Sequence, residues 1–227
     1  MSRRLALVLA GAVMAALMVA MAGVASAQDV GCKGDIVLDP GHGGTDTGAV
    51  NNTYGLTEKA ETLKVALDLK ALLIEHHYTV CMTRTTNDET LSNNERYTYA
   101  NTTGARVLVS IHMNGSSSST ADYTTTLFGK WRKDKALANT MFQSLSTLPS
   151  ASGTGTIATK TPYSFASGVL LKSNMPATIA ETVFITSDKE AEWLQYGRTM
   201  ADGTVVSRQH QIAQKLEVGI QSYLAPH

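Results

Sequence analysis

Apolar and polar positions along this chain fall into blocks that alternate between two periodicities. A short apolar run from Asp35 to Leu38 ends in Asp39-Pro40-Gly41. Proline cannot donate to a strand ladder and glycine permits a sharp turn, so the run predicts a first strand. A Gly/Asn-rich loop follows to Gly55. The segment "LTEKAETLKVALDLKALLIEHH" then places Ala60, Leu63, Leu67 and Ile74 at roughly helical spacing. Thr57 is the expected N-cap. Glu58 and Glu61 suit the positive end of the helix dipole, and His76 and His77 suit its other end.

"YTVCMTR" predicts a second strand from Tyr78 to Thr83, "LSNNERYTYANTT" a short helix, and "ARVLVSIHMN" a third strand from Arg106 into His112. Strands that alternate with helices are the signature of parallel βαβ units with right-handed crossovers. Nearly continuous apolar strands mean that both sheet faces are covered. Further on, "GSSSSTADYTTT" reads as a mobile low-complexity loop, and an amphipathic helix is expected from Asp134 to Leu148. A Gly/Ser/Thr-rich loop from Ser150 to Ser167 comes next. Strands are expected at Gly168 to Leu171 and Thr178 to Ile185, with Pro176 between them. Ser187 caps a helix to about Leu194. A last helix from Val205 to Leu224 carries Ile212, Leu216, Ile220 and Tyr223 on one stripe. No internal repeat and no second domain is visible.

The amino terminus has a different pattern. Arg3 and Arg4 precede an apolar run from Leu5 to Val24, and Ala25-Ser26-Ala27 follows. Charged, apolar and small-residue regions in that order predict a signal peptide over residues 1–27, with a single domain over residues 28–227. A run of about 20 residues is also long enough to span a bilayer, so a retained anchor is the alternative. The Arg pair raises a twin-arginine export route as well. Formal net charge is zero, and it turns slightly negative once Arg3 and Arg4 are removed. No basic field points to nucleic acid or to an anionic surface. Cys32 and Cys81 are the two cysteines. In an exported chain they are expected to form a disulfide, with two buried thiols as the alternative.

The chemistry concentrates at strand ends, where open α/β sheets bind ligands. His42 follows the first strand, His112 closes the third, and Glu181 lies inside "IAETVF". Ionisable groups are costly to bury there unless they are paired or bound to metal. Catalytic zinc takes three protein ligands and keeps one open position. His42 and His112 supply two, and Glu58 in the first turn of the first helix can swing over the strand ends as a third. The glycines beside His42 let backbone and substrate approach closely. Glu61 competes with Glu58. Asp39 either orients an imidazole or caps its own turn. Arg84 could be a structural partner for Glu181.

Six segments, "IVLDPGHGG", "GLTEK", "VCMTR", "NNERYTYAN", "VLVSIHMN" and "ATIAETVFITS", occur in an order and spacing that resemble the zinc-dependent N-acetylmuramoyl-L-alanine amidases of bacterial cell walls. The resemblance covers about Gly34 to Leu224. It implies an α/β fold: a single twisted, mostly parallel sheet of about six strands with helices on both faces. It implies that His42, Glu58 and His112 bind Zn2+ and that Glu181 is the catalytic general base. Arg84, Arg96 and Asn101 match supportive positions. The implied substrate is peptidoglycan or a muropeptide, cut by an exported, monomeric enzyme in the periplasm or outside the cell. The chain departs from the family pattern after His112, where "GSSSSTADYTTTLFG" replaces an alanine and an aromatic segment. It departs again after Glu181, where Val183-Phe184 stands in place of a Gly-Phe pair. The alternatives are a zinc peptidase cutting within the stem peptide and a non-catalytic wall-binding protein on the same scaffold.

Overall fold

The computed structural model describes residues 29, 31–200 and 202–226; the expected signal peptide lies outside the described residues. The first strand, β1 (Ile36–Pro40), is fully buried and leads through the Gly-rich loop to helix α1 (Glu58–Glu75). Strand β2 (Val80–Met82), helix α2 (Asn93–Thr103) and strand β3 (Val107–Asn114) complete two βαβ units. Strand β4 (Thr125–Phe128), helix α3 (Trp131–Leu145), strand β5 (Tyr163–Ser164) and helix α4 (Gly168–Lys172) follow. Strand β6 (Ala177–Phe184), helix α5 (Asp188–Tyr196) and helix α6 (Arg208–Leu224) close the chain.

The six strands form one sheet in the order β2-β1-β3-β6-β4-β5. β1, β2, β3 and β6 are parallel, β4 is antiparallel to β6, and β5 is parallel to β4 at the edge. The expected mostly parallel sheet with helices on both faces is present. One face carries Leu38, Val109 and Ile111 against α1, α3 and α6. The other carries Val37, Leu108 and Ile179 against α2 and α4. Leu69 in α1 is fully buried, so cutting it to alanine would cost about 2–5 kcal/mol through lost transfer energy and a residual cavity.

Several local expectations are corrected. Of the expected α1 stripe Leu63 is buried and Ala60 half-buried, but Leu67 and Ile74 are exposed, and the buried face continues through Ala66, Leu69 and Leu73; α1 is covered by both the sheet and α6, and that choice of face is tertiary. Thr57 stands at the N-cap but makes no capping hydrogen bond. Gly168 to Leu171 is helix, not strand, because a short apolar run reads either way until packing decides. Thr125 and Thr126, expected in a loop, belong to β4. The last helix begins at Arg208, and Val205–Val206 pairs instead with Arg198–Thr199. Pro40 does not stop β1 early; it is the last strand residue, paired with Ile111 of β3 where β2 has already ended. The Ile212, Leu216, Ile220 stripe of α6 is buried as expected, with Tyr223 partly buried beside it. Cys32 and Cys81 form a disulfide that ties the start of the domain to β2, with a Cα–Cα distance of 5.9 Å.

Candidate metal centre

Parallel strands end together, and this end of the sheet gathers side chains that are far apart in sequence. His42 lies in the loop after β1, His112 near the end of β3, and Glu58 is the first residue of α1. Glu58 is 4% exposed. Its Oε1 stands 3.0 Å from His42 Nε2 and 3.0 Å from His112 Nδ1. The peptide N–H of Met113 donates to Glu58 Oε1 at 3.0 Å, and that of Ala49 donates to Oε2 at 2.9 Å. Burial works against the Glu58 carboxylate, but the hydrogen bonds and charges of His112 and His42 outweigh it. Its pKa is held far below the usual carboxylate range.

The three donor atoms lie within 4.8 Å of one another, close enough to hold one metal ion. Two ligands about 2.0–2.1 Å from a shared ion in tetrahedral geometry stand roughly 3.3 Å apart. The observed separations of 3.0 Å are close to that. Two imidazole nitrogens and a carboxylate oxygen are also the donor types such an ion takes. The fit therefore holds on chemistry and on the two Glu58–histidine distances, with all three donors within 4.8 Å of one another. Glu61, the competitor for Glu58, points elsewhere: it is buried against Lys64 and Gln209.

The glycines are packed against this centre. A Cβ on Gly41 would lie 2.4 Å from His112 Cε1, so the loop passes flat against the imidazole. Gly48 has φ +62°, and a Cβ there would meet His42 Cδ2 and Glu58 Oε2, both at 2.6 Å. His42 itself has φ 60°, a conformation that costs a non-glycine residue energy and needs outside support. Arg84 and Arg96, both buried, give that support. Arg84 donates to the carbonyls of Pro40, Gly41 and Lys59 at 3.0, 2.8 and 2.7 Å. Arg96 donates to those of Pro40 and His42 at 2.8 and 2.7 Å.

Arg84 is therefore not the partner of Glu181. Asn101 braces the α4–β6 turn through Lys172 and Asn174. Asp39 does not orient an imidazole; its carboxylate is spent on Thr83, Ser110 and Arg96. The orienting group is Asp46, whose Oδ2 lies 2.9 Å from His42 Nδ1 while Oδ1 accepts from the Gly48 N–H. A carboxylate four residues after the histidine in a glycine-rich loop was the available sequence signal. Glu181 is paired in register with His112 on the neighbouring strand and lines the same cleft of about 480 Å³ as the two histidines and Glu58. Burial raises its pKa; His112 and His42 pull it down and Glu58 adds to the rise.

A mostly parallel α/β sheet carries at its carboxyl end a His-Glu-His group that could hold a metal ion beside an open cleft, and this defines the class of the protein. Within that class, residues 36–205 match the N-acetylmuramoyl-L-alanine amidase family, and the chain belongs to it. It is 34% identical over 193 residues to a protein of Staphylococcus saprophyticus named "Probable cell wall amidase LytH", covering 84% of this chain and 58% of that one. The fold is similar to the catalytic domain of CwlV, an N-acetylmuramoyl-L-alanine amidase from Bacillus (Paenibacillus) polymyxa var. colistinus. There the TM-score is 0.69 and the identity 29%, over 83% of this chain and 97% of that one. It is also similar to the N-acetylmuramoyl-L-alanine amidase of Clostridium difficile 630, with a TM-score of 0.70 and 30% identity over 83% and 95% of the two chains. The chain spans 58% of the length of the staphylococcal relative and about a third of two Bacillus relatives, 35% and 31%.

Proposed function

We propose that this chain is an exported, zinc-dependent N-acetylmuramoyl-L-alanine amidase that hydrolyses the amide between N-acetylmuramic acid and L-alanine of the stem peptide. The observation that carries the reading is the convergence of His42 Nε2, His112 Nδ1 and Glu58 Oε1 in a cleft that also contains Glu181. Three protein ligands of N, N and O type, facing an open cleft, match a catalytic zinc site better than a closed structural one. Zinc bound there would supply Lewis acidity, polarising the amide carbonyl and lowering the pKa of water toward about 7.

The chain's own residues have separate tasks in this reading. His42, Glu58 and His112 hold the ion, and Asp46 fixes the His42 tautomer so that Nε2 presents its lone pair. Glu181 takes a proton from the attacking water as the new carbon–oxygen bond forms. It then returns that proton to the L-alanine nitrogen as the carbon–nitrogen bond breaks, because an amine cannot leave as an anion. The products are a lactyl carboxylate on the sugar and a free amine on the peptide. No side-chain hydrogen bond occupies Glu181 among the described residues, which leaves its carboxylate available for this transfer.

Export is supported by the signal-like residues 1–27 and by the Cys32–Cys81 disulfide, which belongs in an oxidising compartment. Among the described residues no helix is long and apolar enough to cross a membrane. The test is incubation of residues 28–227 with purified muropeptides, with and without a chelator, followed by separation of the products. Intact stem peptides released only without chelator are expected. Cut stem peptides would replace this reading with a zinc peptidase, and no turnover with zinc supplied would leave a wall-binding protein.

A further inference from the structure

The cleft runs sideways from the metal centre across the sheet, and its far wall is made by residues no catalytic step uses. Register fixes where that wall stands. Ser110 of β3, Ile179 of β6, Leu127 of β4 and Tyr163 of β5 are paired in one continuous row. The adjoining row holds His112, Glu181 and Thr125. Directly paired residues share a face, so Tyr163 projects on the same side of the sheet as His112 and Glu181. Two interstrand spacings separate β5 from β6, which puts Tyr163 roughly 10 Å to the side of the Glu181 column. Phe165 follows just past the end of the strand, with its N–H anchored on the Phe128 carbonyl at 2.9 Å. Both rings line the cleft.

These rings are exposed where a core sheet would bury them: Tyr163 is 39% and Phe165 48% exposed. Tyr163 is also braced, with Lys160 Nζ 4.8 Å above its ring and 5.8 Å from that of Tyr123. A ring held in place loses little rotamer freedom when a ligand arrives. Among the described residues lining the cleft, Arg96 is the one Lys or Arg side chain. Its donors are spent on Asp39 and on the carbonyls of Leu91, Pro40 and His42. Inside the cleft no guanidinium or ammonium is free, and at its far wall the Lys160 ammonium is turned onto the Tyr163 ring, 4.8 Å from its centroid. A neutral sugar needs none; it needs a flat apolar surface for its C–H face.

We propose that Tyr163 and Phe165 form a stacking platform for the neutral sugar side of the substrate, one saccharide unit away from the bond to be cut. This rests on the amidase reading for the identity of the sugar, and the experiment separates the two. Binding of uncharged oligosaccharides of N-acetylglucosamine is measured by calorimetry on the zinc-loaded chain. The same measurement is made on the double variant Tyr163→Ala/Phe165→Ala and on Tyr163→Phe. Steady-state KM and kcat on a glycan-bearing muropeptide are measured alongside.

The double variant is expected to bind glycan about 10-fold more weakly, from two stacking contacts of ordinary size. Its KM should rise by a similar factor with kcat unchanged, and Tyr163→Phe should stay within about twofold of wild type on both readouts. Wild-type glycan affinity in the double variant, or no glycan binding by the wild type, overturns the platform whatever the turnover. A double variant that loses affinity for free stem peptide instead assigns the wall to peptide and also overturns it. Glycan binding that depends on both rings in a chain that cleaves no muropeptide sustains the platform and removes the amidase reading.

Discussion

Arg96 donates from Nη2 to the backbone carbonyl of His42 at 2.7 Å, while Nη1 of the same guanidinium holds Asp39 Oδ1 at 2.7 Å. One side chain thus ties the end of β1 to the residue that must present its imidazole in a left-handed backbone conformation. Positioning of this kind is a frequent reason for a charged group to be buried next to a metal site. Arg96→Ala is expected to weaken zinc binding about 10–100-fold in competition with a chromogenic chelator. It should also destabilise the fold by roughly 3–5 kcal/mol, because Asp39 is left buried and unpaired. Unchanged zinc affinity in the folded fraction would reduce Arg96 to a structural ion pair.

The ligands and the proposed base make opposite predictions about metal content. His112→Ala removes one of three donors, so zinc by elemental analysis should fall together with activity. Glu181→Gln keeps all three and should retain zinc while turnover drops roughly 10²–10⁴-fold, the range of general acid–base catalysis. Wild-type turnover in Glu181→Gln would end its assignment as the base, and full zinc occupancy in His112→Ala would end that of the ligand.

Gly41 tests close packing against the His112 ring without removing a donor atom. An added methyl would sit 2.4 Å from His112 Cε1, well inside contact distance, so the ring or the loop must move. Gly41→Ala is expected to keep the far-ultraviolet circular dichroism of the fold and lose at least about 10-fold in zinc affinity. Wild-type affinity would mean that the loop yields freely, contrary to the hold that Arg84 has on the Gly41 carbonyl.

Much of this cluster was legible because its ionisable groups sit at the ends of apolar runs or inside them, where a charged side chain has no other reason to be. His42, His112 and Glu181 carry that signal. Glu58 was separable from Glu61 only by resemblance; in space α1 turns Glu61 toward Gln209. The exchange of Asp39 for Asp46 has the same cause. Both are carboxylates near His42, and only the loop geometry decides which one reaches Nδ1. β4 was hidden because Thr125 and Thr126 continue a Ser/Thr-rich stretch and gain their burial from pairing with β6. Tyr163 and Phe165 were hidden because two strand residues inside a polar segment leave no periodicity to detect.

Asp39 predicts how the fold responds to acid. Burial pushes its pKa up, but the Arg96 charge and the hydrogen bonds of Ser110, Thr83 and Arg96 outweigh that and hold it below the usual range. A carboxyl whose folded pKa is depressed contributes stability above its unfolded value of about 3.9, and that stability is lost as pH falls through the folded value. The melting temperature, followed from pH 6 to pH 2.5, should therefore decline mainly below about pH 4. Asp39→Asn should start lower and decline less over the same window. Parallel curves for the two proteins would show that Asp39 does not carry the acid limb.

Asn114 carries the last prediction. It follows His112 by two residues at the end of β3, lines the cleft, and its buried Nδ2 has no hydrogen-bond partner among the described residues. An unsatisfied buried donor costs about 1–3 kcal/mol, and such a cost is commonly retained where the group serves function. Asn114→Leu has nearly the same shape and removes the unsatisfied amide. It is expected to raise stability by roughly 1 kcal/mol, read as a melting-temperature increase of about 2–4 °C for a domain of this size. Because the cleft then loses a donor that a substrate carbonyl could take, kcat/KM should fall while zinc content stays constant. A variant that is both more stable and fully active would show that the amide serves no substrate, and a less stable one would show that Nδ2 is satisfied by water in solution.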